Sequence, residues 1–139
     1  YPSCMSGIRP LNLHHQPQKT ITDMSNYRKI SVPAEARVEL HDELHLTGAE
    51  ISINNLPAGA QVPFVHSHKQ NEEIYGILSG KGTMTLDGEN VDLTAGDWLR
   101  VVPEVKRQLS AAPDSAISYI CIQVKSGSLE NFTMTDAIV

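Results

Sequence analysis

From Tyr27 onward the chain is written in short stretches of alternating apolar and polar residues, each closed within about ten residues by glycine, proline or an Asp-Gly pair. Alternation with period two sets one face of a strand inward and the other outward, and no stretch sustains a helical period. Many short strands without long helices between them fold as a sandwich or a closed barrel. Residues 38–46 alternate in part around His41-Asp42-Glu43, which reads as a polar hairpin tip. Residues 49–56 place Ile51 and Ile53 on one face before the turn Pro57-Ala58-Gly59, and residues 62–68 lead into a charged loop at 69–72. Residues 73–78 read as a strand, Ser79-Gly80-Lys81-Gly82 as a turn, and 83–86 as the next strand. Asp87-Gly88 then signals a hairpin to residues 91–93. After the turn at 94–97, Pro103 stops the apolar strand 98–102, and residues 108–111 and 117–124 supply the last strands. The end, 127–139, fits a short helix or an extended tail.

Composition supports one globular unit. The length of 139 residues fits one domain, and 40% hydrophobic against 19% charged residues is far from a disordered balance. Residues 1–25, with Pro10, Pro17 and the pair His14-His15, lack periodicity and read as an arm over the barrel or a neighbouring subunit; the domain proper is 26–139. Solvated arm residues are the simpler reading of His14 and His15. Tyr1 to Cys4 precede Met5, and both a natural start at Met5 and an upstream extension stay open. The net charge of −5, from 11 basic and 16 acidic residues, offers no basic stripe for a phosphate backbone, so nucleic acid is not an expected partner. No apolar run approaches the ~20 residues of a membrane span, and no secretory signal pattern opens the chain. Cys4 and Cys121 make neither a disulfide framework nor metal-finger spacing. A reduced, cytoplasmic setting without a membrane partner is the expectation.

His66-Ser67-His68 is the chemical centre of the sequence. Residues two apart on a strand project from one face, so both imidazoles can point inward together. The loop 69–72 lets the chain reverse and present Glu73 at the head of the next strand. Two imidazoles and a carboxylate make a facial set for Mn, Fe, Co, Ni or Zn, with positions left open for water or substrate. Taken alone, a His-x-His pair is more often an ordinary surface or core pair.

The flanking residues change that balance. The run Pro63-Phe64-Val65-His66-Ser67-His68, continued by Glu72-Glu73-Ile74-Tyr75-Gly76-Ile77-Leu78-Ser79-Gly80-Lys81-Gly82, resembles the first motif of the cupin superfamily. Gly96-Asp97-Trp98-Leu99-Arg100-Val101-Val102-Pro103 is similar to the second, and the likeness covers roughly residues 49–124. The resemblance implies an all-β double-stranded β-helix, or jelly roll, with a metal inside one end of the barrel and a homodimer as the usual assembly. It also implies His66, His68 and Glu73 as metal ligands, with Glu72 turned away. The sequence departs from the family pattern where a fourth ligand, a histidine, is expected: Arg107 stands there, and Glu104 stands at the turn glycine. Arginine remains protonated and cannot ligate a metal. Three arrangements stay open: a metal on three protein ligands plus water, Arg107 facing an anionic ligand, or no metal and Arg107 bridging Glu73. Gln108 is a remote substitute ligand.

Other residues weigh less. His41 and His45 have the spacing of a zinc-protease pair, but Asp42 stands where the glutamate base would follow. Tyr75 shares the inward face of Glu73, and a packed tyrosine with a bonded hydroxyl is its simpler role beside that of a catalytic acid. Trp98 and Phe64 read as core or rim, and Cys121 as a buried small hydrophobe. Two functions from different classes follow. One is a metal-dependent enzyme of the oxygenase or isomerase type acting on a small oxygen-bearing or anionic metabolite. The other is a non-catalytic ligand-binding or sensor protein in which Arg107 contacts an anionic ligand. A structural or storage role fits the retained His66, His68 and Glu73 less well.

Overall fold

The computed structural model describes residues 20–24 and 26–139, and antiparallel strands make up almost all of its regular structure. In chain order they are β1 (Thr20–Asp23), β2 (Arg28–Ser31), β3 (Arg37–Glu39), β4 (Glu50–Leu56), β5 (Asn71–Leu86), β6 (Glu89–Thr94), β7 (Trp98–Val101), β8 (Arg107–Ala111) and β9 (Ile117–Lys125). A single helical turn, α1 (His41–Leu44), lies between β3 and β4, and a 3-10 turn at Thr133–Thr135 lies near the end. The all-β expectation holds. Among the described residues strand β1 pairs only with β2, so a hairpin begins inside the stretch read as an arm. Cys4, Met5, Pro10, His14, His15 and Pro17 lie outside the described residues. Among the described residues, no helix is long and apolar enough to cross a membrane.

Strand β5 organises the rest. Its first part pairs with β9 and β7, giving the order β3-β4-β9-β5-β7, while its second part pairs with β6 and β8. The segment before β5 runs along the free edge of β8 through bridges at Gln61–Ser110 and His66–Arg107. One strand thus belongs to two faces of the jelly roll, and the turn expected at residues 79–82 is absent. The register slips between Ile77 and Ser79, and Gly80, at φ 80°, bends the strand without reversing it. A side chain at Gly80 would collide with the carbonyl oxygen of Ala116, and one at Gly82 with that of Ser110. These glycines mark close approach of backbones, which a sequence pattern does not distinguish from a turn.

The polar tip expected around His41 is also different. Glu50 Oε1 accepts from the backbone N–H groups of Leu40 and His41, at 3.2 and 3.1 Å, which supports one helical turn. His45, in the left-handed region at φ 53°, ends it. Val38 and Leu40 are buried as the alternation suggested, but the polar residues between them and Leu46 coil.

The core lies between the two faces and includes Tyr75, Ile77, Met84, Leu109, Ile117 and Tyr119. Full burial of one such side chain stabilises the fold by about 1.5–3 kcal/mol. On β9 the inward positions are 117, 119, 121 and 123, and across the ladder Cys121 faces Tyr75 while Gln123 faces Glu73. The candidate site is therefore the polar end of the same rows that make the core.

Candidate metal centre

Two backbone pairings place the histidines. His66 N–H donates to the Arg107 carbonyl at 3.1 Å and Arg107 N–H returns the bond at 2.9 Å, a closely paired antiparallel position whose side chains share one face. His68 N–H donates to the Pro103 carbonyl at 2.8 Å. Glu73 is the first residue of β5 paired on both sides, between Val101 and Gln123, and its carboxylate turns inward. Glu72 points the opposite way, as strand alternation requires.

The three side chains converge. His68 Nε2 stands 3.2 Å and His66 Nε2 3.6 Å from the same oxygen, Glu73 Oε1. The imidazole rings meet edge to face with centroids 5.1 Å apart, and Phe64 packs edge-on against His66. His68 Nε2 is buried and makes no hydrogen bond, although it lies 3.2 Å from the carboxylate oxygen. An orphaned ring nitrogen aimed at a carboxylate oxygen is what a small cation would satisfy. Metal–nitrogen and metal–oxygen bonds of about 2.1 Å put neighbouring ligand atoms roughly 3.0–3.4 Å apart, close to the distances found. Among the described residues this is the one cluster of histidine, cysteine and carboxylate groups with metal-like spacing. His41, by contrast, bonds its neighbour Asp42 at 2.8 Å.

Arg107 completes the arrangement. It is fully buried, and its Nη1 donates to Glu73 Oε1 at 2.8 Å. Nε donates to the Val105 carbonyl, and Nη2 reaches the carbonyls of Val102, Pro103 and Val105. Of the arrangements left open by the sequence, the bridge from Arg107 to Glu73 is present. Gln108 turns away and donates to the Val62 carbonyl.

Two further donors hold Glu73. Tyr75 Oη donates to Oε1 at 2.7 Å and Cys121 Sγ to Oε2 at 3.0 Å. Burial alone would push the Glu73 carboxyl up, but the Cys121 and Tyr75 bonds, with the charges of His68 and Arg107, hold it below the usual range. Burial drives the Tyr75 hydroxyl and the Cys121 thiol well above their ordinary values, so both remain protonated donors. Burial also lowers His66, against the pull of Glu73, and favours its neutral, ligating form. Chemically, the residues offer an ionised carboxylate and two convergent imidazoles, and of these Glu73 and His66 line a cavity of about 480 Å³. That is room for a small metabolite.

Sequence reasoning placed His66, His68, Glu73, Tyr75 and Arg107 together. It missed the part Cys121 plays, since alternation on β9 shows which face a residue takes but not which residue lies across the sheet. Phe64 and Trp98 are both more than half exposed; Phe64 lines the cavity mouth and Trp98 lies over Gly76 on the outer face.

Comparison with known proteins bears on this geometry. The family model for the cupin domain matches residues 53–123, about half of the chain and all of the site. The chain belongs to the cupin family. A crystal structure of a cupin protein from Bacteroides fragilis is 72% identical, with a TM-score of 0.81 over 84% of this cupin and 98% of that chain. An uncharacterized protein from Methanocaldococcus jannaschii is 32% identical over 66 residues, 48% of this chain and 52% of that one. The cupin thus spans about half the length of that relative. A putative sugar phosphate isomerase from Acidithiobacillus ferrooxidans is 24% identical, with a TM-score of 0.56 over 64% of this chain and 59% of its own, and shares the fold.

Proposed function

We propose that this cupin binds a small oxygen-bearing or anionic metabolite beside a divalent transition metal held by His66, His68 and Glu73. The observation that carries the reading is the convergence of two imidazole Nε2 atoms on one carboxylate oxygen, at 3.2 and 3.6 Å. A metal there, one of Mn, Fe, Co, Ni or Zn, would supply Lewis acidity or redox chemistry of the isomerase or oxygenase kind. The chain's own residues do the rest. Tyr75 and Cys121 hold the carboxylate ionised and fix its rotamer, and Phe64 packs edge-on against His66. We further propose a cytoplasmic homodimer with no nucleic-acid or membrane partner, a reading supported by the acidic net charge of −5 and the apolar outer sheet face.

Titration of the metal-free protein with Co²⁺, followed by its visible absorption, tests the metal. One equivalent should bind, and His66→Ala and His68→Ala should each lose it. A folded wild type that takes up no cobalt, nickel, manganese or zinc would sink the reading. The Arg107 bridge at 2.8 Å favours a second reading for that outcome: the guanidinium already neutralises Glu73, and the cavity serves as a metal-free binding or sensor module.

A further inference from the structure

We propose that Arg37 is the anion-recognising residue of this cavity, and that the ligand carries a carboxylate or phosphate group lodged against its guanidinium. The inference deepens the small-molecule reading above and rests on it, but not on the presence of a metal.

Arg107, the cation first suggested by sequence, is poorly placed for that task. Of the five N–H groups of a guanidinium, its contacts with Glu73 and three backbone carbonyls leave one hydrogen, on Nη1. It holds the site together from within. Arg37 stands differently. It lies on β3 in register with Asn54 of β4, which in turn faces Tyr119 of β9, so all three share the inward face. Arg37 lines the same cavity as Glu73, Tyr75 and His66, yet its side chain is 48% exposed, at the mouth. Its positive charge is felt at Tyr119 and Cys121, where it partly offsets the upward push of burial.

The guanidinium is held in place by a buried relay. Nη1 donates to Asn54 Oδ1 at 2.8 Å, and Asn54 Nδ2 donates to Ser52 Oγ at 2.9 Å. Asn54 and Ser52 are only 3% and 2% exposed. Nε binds Glu39 Oε1 at 3.0 Å. The two bonds leave three hydrogens, one on Nη1 and both on Nη2, with no partner among the described residues. An exposed Arg37–Glu39 pair alone would be an ordinary surface contact contributing under about 1 kcal/mol. It would not need a buried amide, fixed by a buried hydroxyl, to aim it. An oriented fork with unspent hydrogens at the rim of a cavity suits bidentate binding of an oxyanion. Strands about 4.8 Å apart put β3 roughly 14 Å from β5 across the sheet. The row of Arg37, Asn54 and Tyr119 meets β5 at Ile77, four residues along from Glu73. The Arg37 and Glu73 side chains nevertheless line one cavity.

The test uses isotope-labelled whole protein, titrated with succinate and with glycerol 3-phosphate, and followed by amide chemical shifts. Succinamide and glycerol are the neutral controls. At least one anion should bind saturably and the neutral compounds should not; the tighter of the two anions decides between carboxylate and phosphate. Arg37→Ala should weaken binding about ten- to a hundredfold, and Arg37→Lys, which keeps the charge but loses the fork, should recover part of it. Amide spectra of the free variants check that the fold is intact. Equal affinity in Arg37→Ala, equal binding of the neutral controls, or no saturable anion binding by the wild type would each overturn the proposal. Cobalt loading of the same samples separates the two readings. Loading should be unchanged in Arg37→Ala. A wild type that ignores cobalt but binds anions through Arg37 loses the metal and keeps this inference; the converse result loses only this inference.

Discussion

Glu73 Oε1 has more suitors than lone pairs: Tyr75, Arg107 and both histidines lie within 3.6 Å of it. Arg107 is the strongest of them, because it is permanently charged and sits in a buried shell of carbonyls where its loss leaves several groups unpaired. Arg107→Ala is therefore expected to destabilise the fold by about 3–5 kcal/mol, the cost of breaking a buried ion pair by removing one partner. Urea unfolding measures it, and a change below about 1 kcal/mol would mean that water replaces the guanidinium freely. Arg107→His makes a complementary prediction. It removes a cation that competes for Oε1 and adds a neutral donor, so cobalt affinity should rise relative to wild type in the same absorption titration. No rise in a variant whose amide spectrum shows the fold intact would mean that the position does not face the bound cobalt.

At the level of elements, β5 carries both the site and the seam between the sheets. Its N-terminal part bears Glu73 and Tyr75; Gly80 then lets it pass under residue 116 and continue as the strand between β6 and β8. Gly80→Ala places a β-carbon in the carbonyl of Ala116 and an L-residue at φ 80°, so it should cost about 2 kcal/mol or more. The urea midpoint should fall with it, and an unchanged midpoint would show that the seam yields. Here the sequence was only partly legible. Most of the strands and the shared face of His66 and His68 followed from period-two alternation, which depends on local chain geometry, and the resemblance to the cupin motif joined Glu73 to them. On β4, however, Ser52 and Asn54 face inward and Ile51 and Ile53 outward, against what hydrophobicity suggests. The passage through Gly80 did not follow from the pattern either, because a glycine that makes a turn and one that admits a neighbouring backbone look the same along the chain. Nor did α1, whose support comes from the Glu50 carboxylate on the next strand. Cys121 and the Asn54–Arg37 contact escaped for a related reason: each depends on which residue of another strand stands opposite.

At the scale of the whole molecule, several apolar residues that the core does not use gather on one sheet face. Opposite the cavity, the register lines up Trp98, Gly76, Ile120 and Ile53 in one row and Arg100, Ile74, Ile122 and Ile51 in the next, with the charge of Arg100 at the edge strand. The isoleucines are half-buried and Trp98 is 62% exposed, its indole flat over Gly76, where any side chain would displace it. A largely apolar sheet face of this kind suits the proposed homodimer, since a second copy presenting the same rows across a two-fold axis would cover it without leaving an open surface for further growth. Trp98 stands near the edge of that face, and truncating or charging a large aromatic at an interface typically costs 2 kcal/mol or more, about thirtyfold in association. Trp98→Glu is therefore expected to shift the proposed homodimer to monomer in light scattering at micromolar concentration. Cobalt uptake should persist, because Trp98 and the metal centre lie on opposite faces of β5 and β7. A dimer of unchanged mass would move the interface elsewhere, and a wild type that is monomeric at every concentration would remove the homodimer itself.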